Sequence, residues 1–219
     1  FAVVVVSDEK KAREALEKFG DDLKNEYRTP DPDVTLCVES AAPTVLPMTN
    51  ADSEKVVTLL TCMPNGLIEL SMDVAGLPQT SLNLGILTTS ENEVSASFCV
   101  RSSVSSQKEM LKKRLTRMTA LLGGTVSYFG EYPAWEFKSD SPILKLCADV
   151  YEKKFGKKPV ITAIHGGLEC GLFSEKMPGL DCVSFGPDIF DIHTPREKLS
   201  VSSLNRTWEF LLEVLKEMK

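Results

Sequence analysis

The stretch SLNLGILTTSENEVSASFCVR, residues 81–101, decides the fold. Its two runs, SLNLGIL (81–87) and EVSASFCVR (93–101), alternate apolar and polar residues with the period of a half-buried strand. The polar connection between them suits a hairpin. Leu82, Leu84 and Ile86 are expected on one face, together with Val94, Ala96, Phe98 and Val100 of the partner strand. Those apolar residues must enter the core together, which leaves Asn83 and Arg101 on the opposite face. With Asn83 paired near Cys99, Arg101 becomes its diagonal neighbour, about 7–8 Å away. An amide and a guanidinium so placed can bind a carboxylate. The alternative is a solvated sheet face.

Helical spacing surrounds the hairpin. Ser7 can cap a helix carrying Ala12, Ala15, Leu16, Phe19 and Leu23 inward. VTLCVES (34–40) alternates and is expected as a strand. A second helix turns Val56, Val57, Leu59 and Leu60 inward, and Pro64-Asn65-Gly66 marks a turn. A third, over about residues 105–122, carries Met110, Leu111, Leu115, Met118 and Leu122 on one side. TVSYF (125–129) is expected as another strand. The whole reads as an α+β layer, an antiparallel sheet with helices on one face. YPAWEFKSDS (132–141) is a proline-bearing linker. The opening FAVVVV (1–6) reads as a strand entered in its middle, so the chain is expected to be part of a longer polypeptide.

Beyond the linker the pattern changes. Ser141-Pro142 starts a helix with Ile143, Leu144, Leu146, Cys147, Val150 and Tyr151 inward, and Gly156 ends it. PVITAI (159–164) and DCVSFG (181–186) are short, nearly continuous apolar runs, as in strands buried on both faces of a sheet. A last helix, from about Ser202, is expected to turn Leu204, Trp208, Leu211, Leu212 and Leu215 inward. Two strands and two helices cannot cover two sheet faces, so this part reads as an incomplete α/β segment.

Charge narrows the partners. Against 25 Lys and Arg stand 31 Asp and Glu, so a dominant nucleic-acid-binding surface is not expected. No apolar run approaches the roughly 18 residues of a membrane span. Six cysteines without a CxxC pair are expected as buried free thiols of a cytoplasmic protein.

IHGGLECGLF (164–173) concentrates chemistry, with His165, Glu169 and Cys170 among glycines. A Cys/His nucleophile lacks any recognisable context. A metal site needs about three protein ligands, and the glycines break the helix that would align His165 with Glu169. The expected reading is a glycine turn at the carboxyl end of a strand, where ligands bind in open α/β sheets. The second histidine, His193, lies in a loop before the last helix, as a ligand, a base or a surface residue.

PNGLIELS (64–71), QTSLNLGILT (79–88), VRSS (100–103), YPAWEFKSDSP (132–142), HGGLECGLF (165–173) and SFGPDIFDIHTPREKLSVSS (184–203) together resemble the aminoacyl-histidine (Xaa-His) dipeptidases. These are carnosinase-type two-zinc exopeptidases. The resemblance implies a lid and dimerisation domain over residues 1–138. Residues 139–219 would be the returning segment of a zinc-exopeptidase catalytic domain. It implies His193 as a metal ligand, Asn83 and Arg101 as contacts to the substrate carboxylate, and His165 and Glu169 as polar groups of the cleft wall. It further implies a small dipeptide substrate, two zinc ions (cobalt or manganese being possible), and a homodimer through the lid. The family's remaining metal ligands and its general-base glutamate lie in motifs that do not occur in these residues, so the chain by itself is expected to be inactive. The alternatives are a non-catalytic dimerisation or partner-binding domain, or a related metal-dependent peptidase or deacylase.

Overall fold

The computed structural model describes residues 1–42, 46–162 and 168–218. The chain forms two compact units, Phe1–Val57 and Thr58–Lys219.

In the first unit, helix α1 (Glu9–Glu26) is capped by Asp8 rather than Ser7, its carboxylate accepting from the Lys11 N–H at 3.1 Å. An acid at that position also complements the positive end of the helix. The segment 34–40 runs along α1 without a strand partner. Gly20 lets it approach, since a Cβ there would touch the Leu36 side chain at 3.5 Å. Arg13 donates to the Val38 carbonyl at 3.1 Å.

The second unit contains the predicted hairpin. Strands β1 (Gly66–Leu70), β2 (Pro78–Thr89) and β3 (Val94–Ser102) form an antiparallel sheet in that order. Asn83 pairs with Cys99 and Ser81 with Arg101, the register expected from alternation. β1 lay hidden behind its turn signal in the sequence. Helix α2 (Asn50–Cys62) contributes Leu59, and helix α3 (Ser105–Leu121) contributes Leu111 and Leu115, to a core with Met63 and Leu82. Phe98 and Val100 pack on it from the sheet. Thr80 is fully buried beside them. Its hydroxyl is shared with Ser102 at 2.9 Å and donated to the Gln107 side-chain oxygen.

One residue of the hairpin departs from its expected face. The ladder runs Leu84 with Phe98 and then Ile86 with Ser97, so Gly85 is a bulge. An extra residue reverses the alternation beyond it. Ile86 therefore shares the face of Ser97 and Cys99, and it is exposed.

After the linker come helix α4 (Pro142–Phe155), helix α5 (Glu169–Lys176), the two-residue strands β4 (Ile189–Phe190) and β5 (Lys198–Leu199), and helix α6 (Val201–Glu217). α4 and α6 enclose their own core of Cys147, Val150, Phe210 and Val214. Around it Phe210 makes edge contacts with Tyr151 and Phe185, at ring separations of 5.6 and 4.9 Å. The buried face of α6 is thus Ser203, Phe210 and Val214. Leu204, Trp208, Leu212 and Leu215 are exposed, against expectation. α6 meets α4 through a narrow contact, and the aromatic rings around Phe210 decide which stripe that is.

Several expected strands do not form among the described residues. Residues 1–6, 34–40, 125–129, 159–162 and 181–186 carry no ladder; residues 163 and 164 lie outside the described residues. β-branched runs become strands only when another strand bonds to their edges. The cysteines also differ from expectation. All six are free, but only Cys147 is buried, and Cys37, Cys62 and Cys99 are exposed. Cys99 is exposed because alternation sends it to the sheet face opposite the core.

Candidate active-site cleft

A cleft of about 1190 Å³ opens within the second unit, between the free face of the sheet and the segment built on α4, α5 and the loop before α6. Arg101, Glu169 and His193 all line it, although they come from three separate stretches of sequence. Asn83 lies on the same sheet face, opposite cleft-lining Cys99, but is not itself in the lining. His165 lies outside the described residues.

Arg101 reaches the cleft because β3 alternates strictly. Val94, Ala96, Phe98, Val100 and Ser102 are half-buried, and the residues between them are exposed. The Gly85 bulge adds Ile86 to the same wall.

His193 is held by backbone construction. β4 and β5 close a small hairpin, with Ile189 opposite Leu199 and Phe190 opposite Lys198. Inside it, the Thr194 hydroxyl donates to the Asp191 carbonyl at 2.7 Å and the Arg196 N–H donates to the Thr194 hydroxyl at 3.2 Å. The His193 N–H donates to the Glu197 carboxylate at 2.9 Å. Asp191 and His193 both have left-handed backbone, with φ of 52° and 64°. Such a conformation costs a non-glycine residue on the order of 1–3 kcal/mol and persists where surrounding structure enforces it. The hairpin is tied below to α6, where the Ser203 hydroxyl accepts from the Asp188 N–H at 2.9 Å. The result is an exposed imidazole at the tip of a braced loop.

Glu169 opens α5, so the second half of the HGGLECG stretch is a helix start, while the turn expected at Gly166-Gly167 lies outside the described residues. A carboxylate in a first helical turn is favoured by the helix dipole. Gly171 is buried where α5 meets the linker. A Cβ there would lie 2.8 Å from the Pro133 carbonyl oxygen. Burial pushes the Cys170 thiol up, with Cys182 and Glu169 beside it acting the same way, so it is not an activated nucleophile.

Sequence reasoning treated 125–129 as a strand and 132–141 as a linker, and missed that the aromatic residues of both form a wall. Tyr128, Phe129, Tyr132 and Trp135 all line the cleft, with Lys108 and Lys112 of α3. Four aromatic residues within eight positions around a proline were the available signal.

Among the described residues no three His, Cys, Asp or Glu side chains converge to hold a metal ion. A catalytic zinc takes about three protein ligands. His193, exposed in the cleft, fits one ligand position and not a complete centre.

Residues 3–217 match the family model of peptidase family M20/M25/M40. The chain belongs to this peptidase family. The cytosol non-specific dipeptidase of Escherichia coli (strain K12) is 33% identical over 220 residues, spanning all of this chain and 45% of that protein. The aminoacylhistidine dipeptidase of Vibrio alginolyticus superposes with a TM-score of 0.85 at 35% identity, over 95% of this chain and 42% of that one. The aminopeptidase PepT of Bacillus cereus, at 20% identity and a TM-score of 0.57 over 75% of this chain and 44% of that one, shares the fold. The chain thus spans less than half the length of these proteins. Among the described residues no helix is long and apolar enough to cross a membrane.

Proposed function

We propose that this chain is the lid and carboxyl-terminal part of a cytoplasmic, metal-dependent dipeptidase that cleaves Xaa-His dipeptides such as β-alanyl-histidine. On this reading residues 1–138 are the lid, through which the enzyme dimerises, and residues 139–219 return to the catalytic domain. The observation that carries it is the meeting of Arg101, Glu169 and His193 in one cleft of a peptidase-family chain.

The chain's own residues have separable tasks. Arg101, with Asn83 behind it on the same face, binds the substrate's terminal carboxylate through charge-assisted hydrogen bonds. His193 offers a neutral imidazole nitrogen to one metal ion, its ring presented by the loop and not by side-chain rotamer choice alone. Glu169 and His165 are read as polar contacts of the wall. A bound metal pair would supply a water of lowered pKa and a Lewis acid for the scissile carbonyl. The other ligands and the general base come from sequence outside this chain.

The test compares two polypeptides. The chain of residues 1–219 with added zinc is expected to leave β-alanyl-histidine intact. A polypeptide that adds the family's upstream metal-ligand motifs before residue 1 should hydrolyse it. His193→Asn, which tolerates the left-handed backbone, should then lower kcat by more than the roughly 100-fold typical of losing an outer-shell partner of a metal ligand. Enzymatic turnover by residues 1–219 alone would refute the reading. A broader dipeptide preference is the second reading, favoured by the 33% identity to a dipeptidase named non-specific. Comparing kcat/KM for β-alanyl-histidine and for a dipeptide without histidine separates the two.

A further inference from the structure

The two walls of the cleft have separate apolar cores, one around Leu82, Leu111 and Leu115, the other around Cys147, Val150, Phe210 and Val214. The chain passes between them once among the described residues, through 128–141, and over one very short step it is bonded to α3 on one side and packed against α5 on the other.

On the sheet side, the Tyr128 hydroxyl donates to the Lys112 carbonyl at 2.7 Å, and the Lys112 ammonium lies 4.9 Å from the centre of its ring. Lys112 holds both oxygens of Glu131 at 3.1 Å. The hydrogen bond to Glu109, and then those to Glu131, raise the Lys112 pKa and keep it charged. Lys108 donates to the Tyr132 carbonyl at 2.9 Å and lies 3.8 Å from Glu131. Everything through the Tyr132 carbonyl is therefore attached to α3. On the other side, Gly171 of α5 receives the very next carbonyl, that of Pro133, and the Trp135 Cβ packs at 3.6 Å from where a Cβ on Gly171 would be.

Two consecutive carbonyls thus belong to opposite walls. Between them stand the planar Tyr132–Pro133 peptide, the Pro133 N–Cα bond and the Pro133 Cα–C bond. The peptide is rigid, and the proline ring holds φ near about −65°. Only ψ of Pro133 remains free.

We propose that Pro133 is a single-torsion joint of the cleft, with Lys108 and Lys112 as the clamp on one side and Gly171 as the seat on the other. A joint with one rotatable bond moves the walls about one axis. It can bring Arg101 and His193 together or apart without letting them drift sideways. The joint rests on the two-walled cleft of the proposed dipeptidase but not on its chemistry, and its test uses no catalysis, so either can fail alone.

Chymotrypsin cleaves after aromatic residues, and these bracket the joint: Tyr128 and Phe129 on the sheet side, Trp135 and Phe137 on the α5 side. In the 219-residue chain, Lys108→Met with Lys112→Met should speed cleavage after Tyr128 and Phe129 roughly tenfold, the loss of charge-assisted bonds raising the open population. Cleavage after Trp135 and Phe137 should stay within about twofold. Gly171→Ala should reverse the pattern. Lys108→Arg with Lys112→Arg, which restores both donors, should return the sheet-side rates toward the parent. Cleavage that rises equally on both sides in either variant, or on neither side, overturns the assignment. Independently, nitroxide-bearing unnatural residues at Glu91 and Lys157 report the distance between the walls. Pro133→Ala frees φ and should broaden that distance distribution; an unchanged width overturns the joint.

Discussion

The two walls of the cleft are built on opposite terms. The sheet wall finds its partners nearby: β2 and β3 are joined by a short turn, and α3 follows at once to cover them. The α4–α6 wall does not. Its two apolar runs, 159–162 and 181–186, carry no ladder among the described residues, and four of the five apolar residues of α6 expected inward, Leu204, Trp208, Leu212 and Leu215, are exposed. An antiparallel hairpin satisfies its own backbone, whereas parallel strands need neighbours from distant sequence. The difference teaches that a segment can be complete in composition and still incomplete in pairing.

That contrast can be broken by substitution. The largest effect is expected at Leu111, fully buried in the sheet wall. Leu111→Ala should cost about 2–5 kcal/mol, read from denaturant midpoints. If it proves neutral, the sheet wall is no better packed than the other. Next comes Arg101 in a polypeptide carrying the whole active site. Arg101→Met should raise KM for a dipeptide about 10- to 100-fold, the cost of charge-assisted bonds to a carboxylate, with less effect on kcat.

A smaller effect concerns the start of α4. The Ser141 hydroxyl accepts from the Leu144 N–H at 3.1 Å and donates to Asp181, which also accepts from the Ile143 N–H at 3.0 Å. Burial pushes the Asp181 carboxyl up, but the Ile143 N–H and the Ser141 hydroxyl outweigh it and hold it below its ordinary range. A depressed folded pKa means that its contribution is present above the unfolded value of about 4 and is lost as the pH falls through the folded value. Ser141→Ala should cost about 1 kcal/mol. Asp181→Asn should flatten the acid limb of a stability–pH curve, and an unchanged limb would remove Asp181 from that role. Smallest of all, Leu215→Ala on the exposed side of α6 should change the stability of this chain by no more than about 0.5 kcal/mol. In a longer polypeptide the same substitution should cost more if that face is then covered.

What the sequence made legible follows the same division. Alternation over residues 93–101 was enough to pair Asn83 with Cys99, since every second side chain of β3 faces the core. It failed at Ile86, because nothing in the run SLNLGIL separates a glycine in register from a glycine bulge. The Ser141 cap and the Gly156 stop of α4 were legible from local chemistry, and Gly156 does adopt φ 67°. The buried stripe of α6 was not, since its orientation depends on Phe210 meeting Tyr151 and Phe185 from elsewhere. In the cleft, His193 and Arg101 could be named from motifs, whereas the left-handed loop that presents the imidazole required coordinates. The aromatic stretch 128–135 was split between an expected strand and a linker because its partners, Lys108, Lys112 and Gly171, lie on two different helices.

Gly85 carries one more consequence. A strand is a two-state code, core or not core, and a single inserted residue inverts every symbol after it. Upstream of Gly85, β2 sends leucine inward and asparagine outward; downstream the same rule sends isoleucine into the cleft. One strand therefore serves two solvents, the protein interior and the space a substrate would occupy. Deleting Gly85 would only remove the bulge, since Ile86 would then follow Leu84 in plain alternation and still face the cleft; an extra residue in β3 opposite Gly85, which gives the glycine a place in the ladder, is what would hand Ile86 to the core and withdraw the one aliphatic surface that β2 contributes to the cleft.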